Sequence, residues 1–135
     1  MLNSKEKNRL REVFQTFPDI KAVFLFGSAA SGKRNKLSDL DLGVFTSNPA
    51  FRKKKLDLLQ KLTEKGFDNV DVVLLDEADL ITQYEAIRLN VLIYASDNFD
   101  RGATYSRIIR KYLDLKPTLD RQKKAYKQRF IDAPS

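Results

Sequence analysis

The stretch FLFGSAASGKRNKLSDLDLGVF, Phe24 to Phe45, decides how this chain reads. Two apolar runs flank a loop of small and polar residues, and two carboxylates stand at the entrance to the second run. In an extended strand successive side chains alternate faces, so Asp39 and Asp41 share one face while Leu40, Leu42 and Val44 share the other. The leucines can enter a core and leave both carboxylates side by side at the start of the strand. Like charges that close repel, and one takes up a proton unless a cation sits between them. A divalent cation with hard oxygen ligands relieves the repulsion.

Gly27-Ser28, at the end of the first run, supplies a second half. A glycine after a strand lets the backbone approach a ligand closely. A helical turn starting at Ser28 would aim free N–H groups at an anion, with the Ser28 hydroxyl as a further donor. Gly32, Lys33 and Arg34 put a flexible point and two positive charges within reach of a polyphosphate.

Asp71 repeats the motif of an acid in an apolar run, flanked by Val70 and Val72. If its strand neighbours the Asp39/Asp41 strand, three carboxylates converge. With no histidine in the chain, that set describes a two-metal phosphoryl-transfer site with ions roughly 3.5–4 Å apart. Each part alone has a plainer reading. Ser38-Asp39 is also a turn initiator, Asp71 also an inward charge that discourages edge pairing, and Gly27-Ser28 also an ordinary turn. The combination carries the signal.

Outside this region, Leu10, Val13, Phe14 and Phe17 predict an amphipathic helix over about residues 3–16, stopped by Pro18-Asp19. Ala22 to Phe26, Asp41 to Phe45, Val70 to Leu75 and Val91 to Tyr94 read as strands. Ser47-Asn48-Pro49 starts a helix that ends at Gly66, and Leu80, Ile81, Tyr84 and Ile87 mark another with Asn90 as a left-handed cap. From about Asp97, Tyr105, Ile108, Ile109, Tyr112 and Leu113 form a helical stripe that reads as core packing. Pro117 is expected to interrupt it, with a weaker helix following through Leu119, Tyr126 and Phe130.

The expected fold is α/β in the α+β sense: a small mixed sheet of about four strands with flanking helices. The 135 residues suit one domain, with a core over about 20–97 and a helical C-terminal extension over about 98–131. Lacking cysteine and histidine, the chain has no disulfides, thiolate zinc sites or histidine base. Metal chemistry must rest on oxygen ligands, which favours Mg²⁺ or Mn²⁺. No apolar run approaches the ~20 residues of a membrane helix, and the polar start MLNSKEKNRL shows no signal peptide, so a cytoplasmic protein is expected. Of the formal charge of +7, +6 falls between Asp100 and the C-terminus (ten Lys/Arg, four Asp). That excess points to an acidic partner surface or a nucleotide, and equally to a solvated helix face.

At these residues the chain resembles the minimal nucleotidyltransferases, or MNT proteins, of the polymerase-β-like nucleotidyltransferase superfamily. The signature of that superfamily is Gly-Ser, about ten residues, Asp-x-Asp, and a third carboxylate on a later strand. Here Gly27-Ser28, the ten residues Ala29 to Ser38, and Asp39-Leu40-Asp41 match it, with Asp71 in NVDVVLL as the third acid. The likeness covers roughly Ala22 to Asp97 and extends more loosely through the C-terminal helices. Many relatives carry arginines in the loop where this chain has Ala29 and Ser31, and glycine where it has Asn90.

The resemblance implies transfer of a nucleoside monophosphate from an NTP with release of pyrophosphate. Asp39, Asp41 and Asp71 are then the catalytic, metal-binding residues for two Mg²⁺ ions. Gly27, Ser28, Lys33 and Ser38 are the nucleotide-binding candidates. Stand-alone MNT proteins resemble antitoxins paired with HEPN-domain RNase toxins, which implies AMP transfer from ATP to a toxin tyrosine. The basic C-terminal helices are the candidate docking surface, and a homo-oligomer is compatible with the sequence. The alternatives are an antitoxin that only occludes its partner, or an enzyme modifying a small hydroxylated molecule such as an aminoglycoside. Nucleic acid is not expected as the substrate, because no template-binding module is visible.

Overall fold

The computed structural model describes residues 2–27 and 40–132. Helix α1, Ser4–Gln15, opens with a capping box in which Asn3 Oδ1 accepts from Glu6 N at 2.8 Å and Glu6 Oε1 accepts from Asn3 N at 3.3 Å. Strands β1 (Ile20–Phe26) and β2 (Leu40–Thr46) follow. After β2 comes a 3₁₀ turn, Pro49–Lys54, begun by the Asn48 cap, and then α2, Lys55–Glu64. The tighter turn precedes the helix because Asn48 Oδ1 accepts from Ala50 N at 2.9 Å while Pro49 has no N–H to offer. Gly66, at φ +92°, ends the segment as expected.

The remaining elements are β3 (Val70–Leu74), α3 (Leu80–Arg88), β4 (Leu92–Ala95) and α4 (Arg101–Asp132). Asp79 caps α3, accepting from Thr82 N at 2.7 Å, and these hydrogen bonds hold its carboxyl below the ordinary value of 3.8. Because the folded value is the lower one, the cap contributes fully above the ordinary value and fades as pH falls through the folded one. Asn90 adopts φ +58°, the left-handed conformation its position after α3 calls for.

The four strands form one mixed sheet in the order β3-β2-β1-β4. β1 is antiparallel to β2 and β4, while β2 and β3 run parallel. A parallel neighbour needs a crossover, and the 3₁₀ turn with α2 supplies it. Side-chain alternation then gives the sheet two covered faces. Val23, Leu25, Leu40, Leu42, Val44 and Val72 bury against α1, the 3₁₀ turn and α2 through Leu10, Phe14, Phe51, Leu58 and Leu62. Ala22, Phe24 and Phe45 bury on the opposite face with Leu75 and with Ala86, Ile87 and Ile108 of α3 and α4.

Two expectations are corrected in α4. Pro117 does not interrupt it: the helix runs through the proline to Asp132. A helical proline removes one hydrogen bond and crowds the carbonyl four residues back, a cost that the helix absorbs in an exposed segment where no packed neighbour is displaced. The Tyr105–Leu113 stripe is also only partly core. Ile108 is fully buried, but Ile109 is 39% and Leu113 57% exposed. Beyond Ile108 no described side chain of α4 is buried, because the narrow sheet has ended beneath it.

Gly43 supports the α3/α4 face by having no side chain. A Cβ there would meet Leu75 Cδ1 at 2.8 Å, inside contact distance. Gly43→Ala should therefore destabilise the protein by about 1–3 kcal/mol through overpacking, read as a lowered urea midpoint at unchanged m-value.

Candidate active site

The antiparallel pairing of β1 with β2 and the parallel pairing of β2 with β3 bring the end of β1 and the starts of β2 and β3 to one edge of the sheet. The register there is Phe26 opposite Asp41 and Asp41 opposite Asp71. Paired residues share a face, so the two carboxylates emerge side by side, one strand spacing of about 4.8 Å apart at the backbone. Their face is the one that carries Gly43, Phe45 and the α3/α4 cluster. Asp41 is half-buried and Asp71 exposed. Leu40, Leu42 and Val72, pointing the other way, are buried and hold both strands in this register.

Gly27 completes the arrangement. Its φ is +74°, and a Cβ built on it would collide with Asp41 Oδ2. The Asp41 carboxylate thus lies over backbone that only glycine leaves open. The structure brings together Gly27, Asp41 and Asp71 of the residues singled out in the sequence. Asp39, Ser28, Lys33 and Ser38 lie outside the described residues.

Among the described residues no group of three or more acidic, histidine or cysteine side chains could hold a metal ion. The Asp41/Asp71 pair is what they contribute. Its donors are carboxylate oxygens only, which fit Mg²⁺ or Mn²⁺ and not a soft metal.

A groove of about 440 Å³ runs along the edge strand beside this pair, lined by Arg52, Lys55, Asp71, Val73, Glu77 and Ala78 among others. Arg52 Nη2 also donates to Glu77 Oε1 at 2.9 Å. The sequence does not single out these two cations, because they sit in a helical stretch with ordinary Lys/Arg spacing. Their nearness to Asp71 comes from the crossover, which lays the 3₁₀ turn and the start of α2 along β3.

The family model described as polymerase beta, nucleotidyltransferase matches residues 8–99. The chain belongs to that family. None of the curated proteins matches it. Among solved structures, it is similar to a toxin–antitoxin with AMP-PNP at TM-score 0.71 and 22% identity, covering 93% of this chain and 95% of that one. It is similar to the toxin–antitoxin MntA-HepT at TM-score 0.66 and 20% identity, covering 96% and 97%. A third likeness is to a tri-AMPylated Shewanella oneidensis HEPN toxin in complex with MNT antitoxin, at TM-score 0.64 and 20% identity, covering 93% and 92%. At these identities the likeness establishes the fold, and that fold is the polymerase-β-like one the Gly-Ser/Asp-x-Asp signature implied. No helix among the described residues is long and apolar enough to cross a membrane.

The contact between Gly27 and Asp41 has a measurable consequence. Gly27→Ala forces a Cβ into the carboxylate and a left-handed conformation onto alanine, which costs roughly 1–2 kcal/mol. Chemical denaturation should show a loss larger than that when Gly27→Ala is made in the parent, and a loss of about that size when it is made in Asp41→Ala, where the collision is removed and the backbone cost remains.

Proposed function

We propose that the chain is a metal-dependent nucleotidyltransferase that moves AMP from ATP onto a tyrosine hydroxyl of a HEPN-type RNase and so acts as its antitoxin in the cytoplasm. The observation that carries the reading is the in-register pair Asp41/Asp71 set against the open backbone of Gly27, in a chain of the polymerase beta nucleotidyltransferase family. The toxin–antitoxin structures of the same fold, with AMP-PNP in one and an AMPylated toxin in another, support the choice of nucleotide and acceptor.

In this reading Asp39, Asp41 and Asp71 hold two Mg²⁺ ions, which neutralise charge on the phosphates when bound. Gly27 and Ser28, with Lys33 and Ser38, bind the triphosphate through backbone and side-chain donors. The tyrosine oxygen attacks the α-phosphorus, the bond between that phosphorus and the β-bridging oxygen breaks, and pyrophosphate leaves. The tyrosine proton passes to the Asp71 carboxylate, which its exposed position leaves open to an incoming protein. The protein's contribution is mostly position and charge, as in other phosphoryl transfers.

The distal part of α4 is the proposed docking surface for the toxin. It belongs to a helix that holds ten Lys/Arg against three Asp between Arg101 and Asp132, and it presents Leu113 at 57% and Tyr126 at 62% exposure. A basic face studded with apolar side chains suits a protein partner.

The test is incubation of the protein with labelled ATP, Mg²⁺ and its co-purifying partner. The partner should gain roughly the mass of one AMP per modified tyrosine, and EDTA should abolish the gain. Asp41→Asn should abolish labelling at unchanged thermal stability, and Asp71→Asn should slow it by about 10²-fold or more. Undiminished labelling in both variants overturns the assignment. Neutralisation of the partner by Asp41→Asn without any mass gain identifies occlusion as the mechanism instead.

A further inference from the structure

Helices α3 and α4 do not close completely over the sheet. Between the C-terminal end of α3 and the first turns of α4 lies a groove of about 310 Å³, lined by Tyr84, Ile87, Arg88, Asn90, Tyr105 and Ile109. That volume is at the lower end of the range for small-molecule sites, roughly 300–1,000 Å³.

Strand pairing places the groove relative to the carboxylates. The Tyr105 ring packs on Phe24 at 5.8 Å between centroids, and Ile87 is buried in the same cluster, so the groove lies on the sheet face that carries Asp41. Leu25 N donates to Val91 O at 2.9 Å, which sets Asn90 level with Phe26, and Phe26 is paired with Asp41. Groove and carboxylate are therefore on the order of two strand spacings apart, about 10 Å.

The polar wall of the groove is ordered by a small network. Tyr105 OH donates to Asn90 Oδ1 at 2.5 Å, and Arg101 Nη2 donates to the same oxygen. Arg101 Nε donates to Tyr105 OH at 3.2 Å, with the guanidinium 5.4 Å from the centre of the Tyr105 ring. A guanidinium can only donate, so the Asn90 atom facing it is the carbonyl oxygen, and the amide NH₂ is left to donate elsewhere.

We propose that this groove holds the nucleoside of the nucleotide whose phosphates lie at Gly27 and the carboxylates. The proposal rests on the nucleotidyltransferase reading above and adds the place where the base is gripped. Two tyrosine side chains and the apolar flanks of Ile87 and Ile109 suit a flat heterocycle. The Asn90 amide supplies one donor for a ring nitrogen or an exocyclic oxygen. The groove at the β3 edge has Arg52, Lys55 and two acidic neighbours, Asp71 and Glu77, but no aromatic lining residue, so it offers a base nothing to stack on. The network also gives a role to asparagine at position 90. It can take the left-handed conformation that ends α3 and, unlike glycine, bring an amide to the groove.

The test separates the nucleoside from its phosphates. Calorimetric affinities for Mg·ATP and for Mg·tripolyphosphate are compared between the parent protein and Ile109→Trp, which fills the groove from a partly exposed position. The expected result is an affinity for ATP lowered about tenfold or more, with tripolyphosphate binding unchanged. An unchanged ATP affinity overturns the groove while leaving the nucleotidyltransferase reading intact. Failure of the parent to bind either ligand overturns both. Photolabelling of the parent with 8-azido-ATP gives a readout independent of the variant. Label is expected within residues 84–90 or 101–109, and label confined to other segments overturns the proposal.

Discussion

Everything about the site depends on how the central strand β2 is paired. It is antiparallel to β1 on one side and parallel to β3 on the other, and from Asp41 to Val44 both pairings keep one unbroken register, the only shift lying at the Ile20/Ala22 end of β1. That register is held by apolar burial on the face away from the site. Leu40, Leu42 and Val44 are each at most 2% exposed, and each contributes about 1.5–3 kcal/mol by leaving water. A slip of one residue would turn all of them out and drive Asp41 into the α1/α2 core. The energy that positions the carboxylates is therefore hydrophobic. The aspartates need contribute nothing to stability in order to be placed.

The same face must be apolar in its middle and polar at its end. The α3/α4 layer meets that condition by covering the sheet only where the strands carry Phe24, Gly43 and Phe45, and by leaving the edge bearing Asp41 and Asp71. Two glycines set how closely things pack there. Gly43 makes room for Leu75, which ties the end of β3 to the sheet, and Gly27 makes room for the Asp41 carboxylate. One absent side chain serves packing and the other serves the site, although both are read from the same strand pair.

Much of this is legible from residue order. Alternation in β2 predicts which way Asp41 points, and an isolated acid between Val70 and Val72 predicts the same for Asp71. Asn90 is legible as a left-handed residue from its place after a helical pattern. The sequence does not reveal that β2 and β3 are adjacent and parallel with Asp41 opposite Asp71. Strand order is decided by long-range packing that no local period encodes. For the same reason Arg52, Lys55 and Arg101 go unnoticed and Tyr105 is read as core packing alone, since each looks like an ordinary helix residue until the topology shows its neighbours.

The uninterrupted course of α4 through Pro117 and the exposure of its apolar stripe have one cause. The periodic stripe from Tyr105 to Leu113 is a sound signal for a helix with an apolar face, but it carries no information about what covers that face. Pro117 likewise signals a lost hydrogen bond, not a break, and whether the helix continues depends on what the neighbouring structure requires. In this fold the sheet ends below Ile108, so apolar residues farther along are exposed and the proline disturbs no packed layer. Tyr112 marks the transition. Its ring stacks on Tyr84 of α3 at 3.7 Å between centroids. Up to that point α4 packs on α3 and the sheet, and past it the described side chains are exposed or half-buried and the segment is basic.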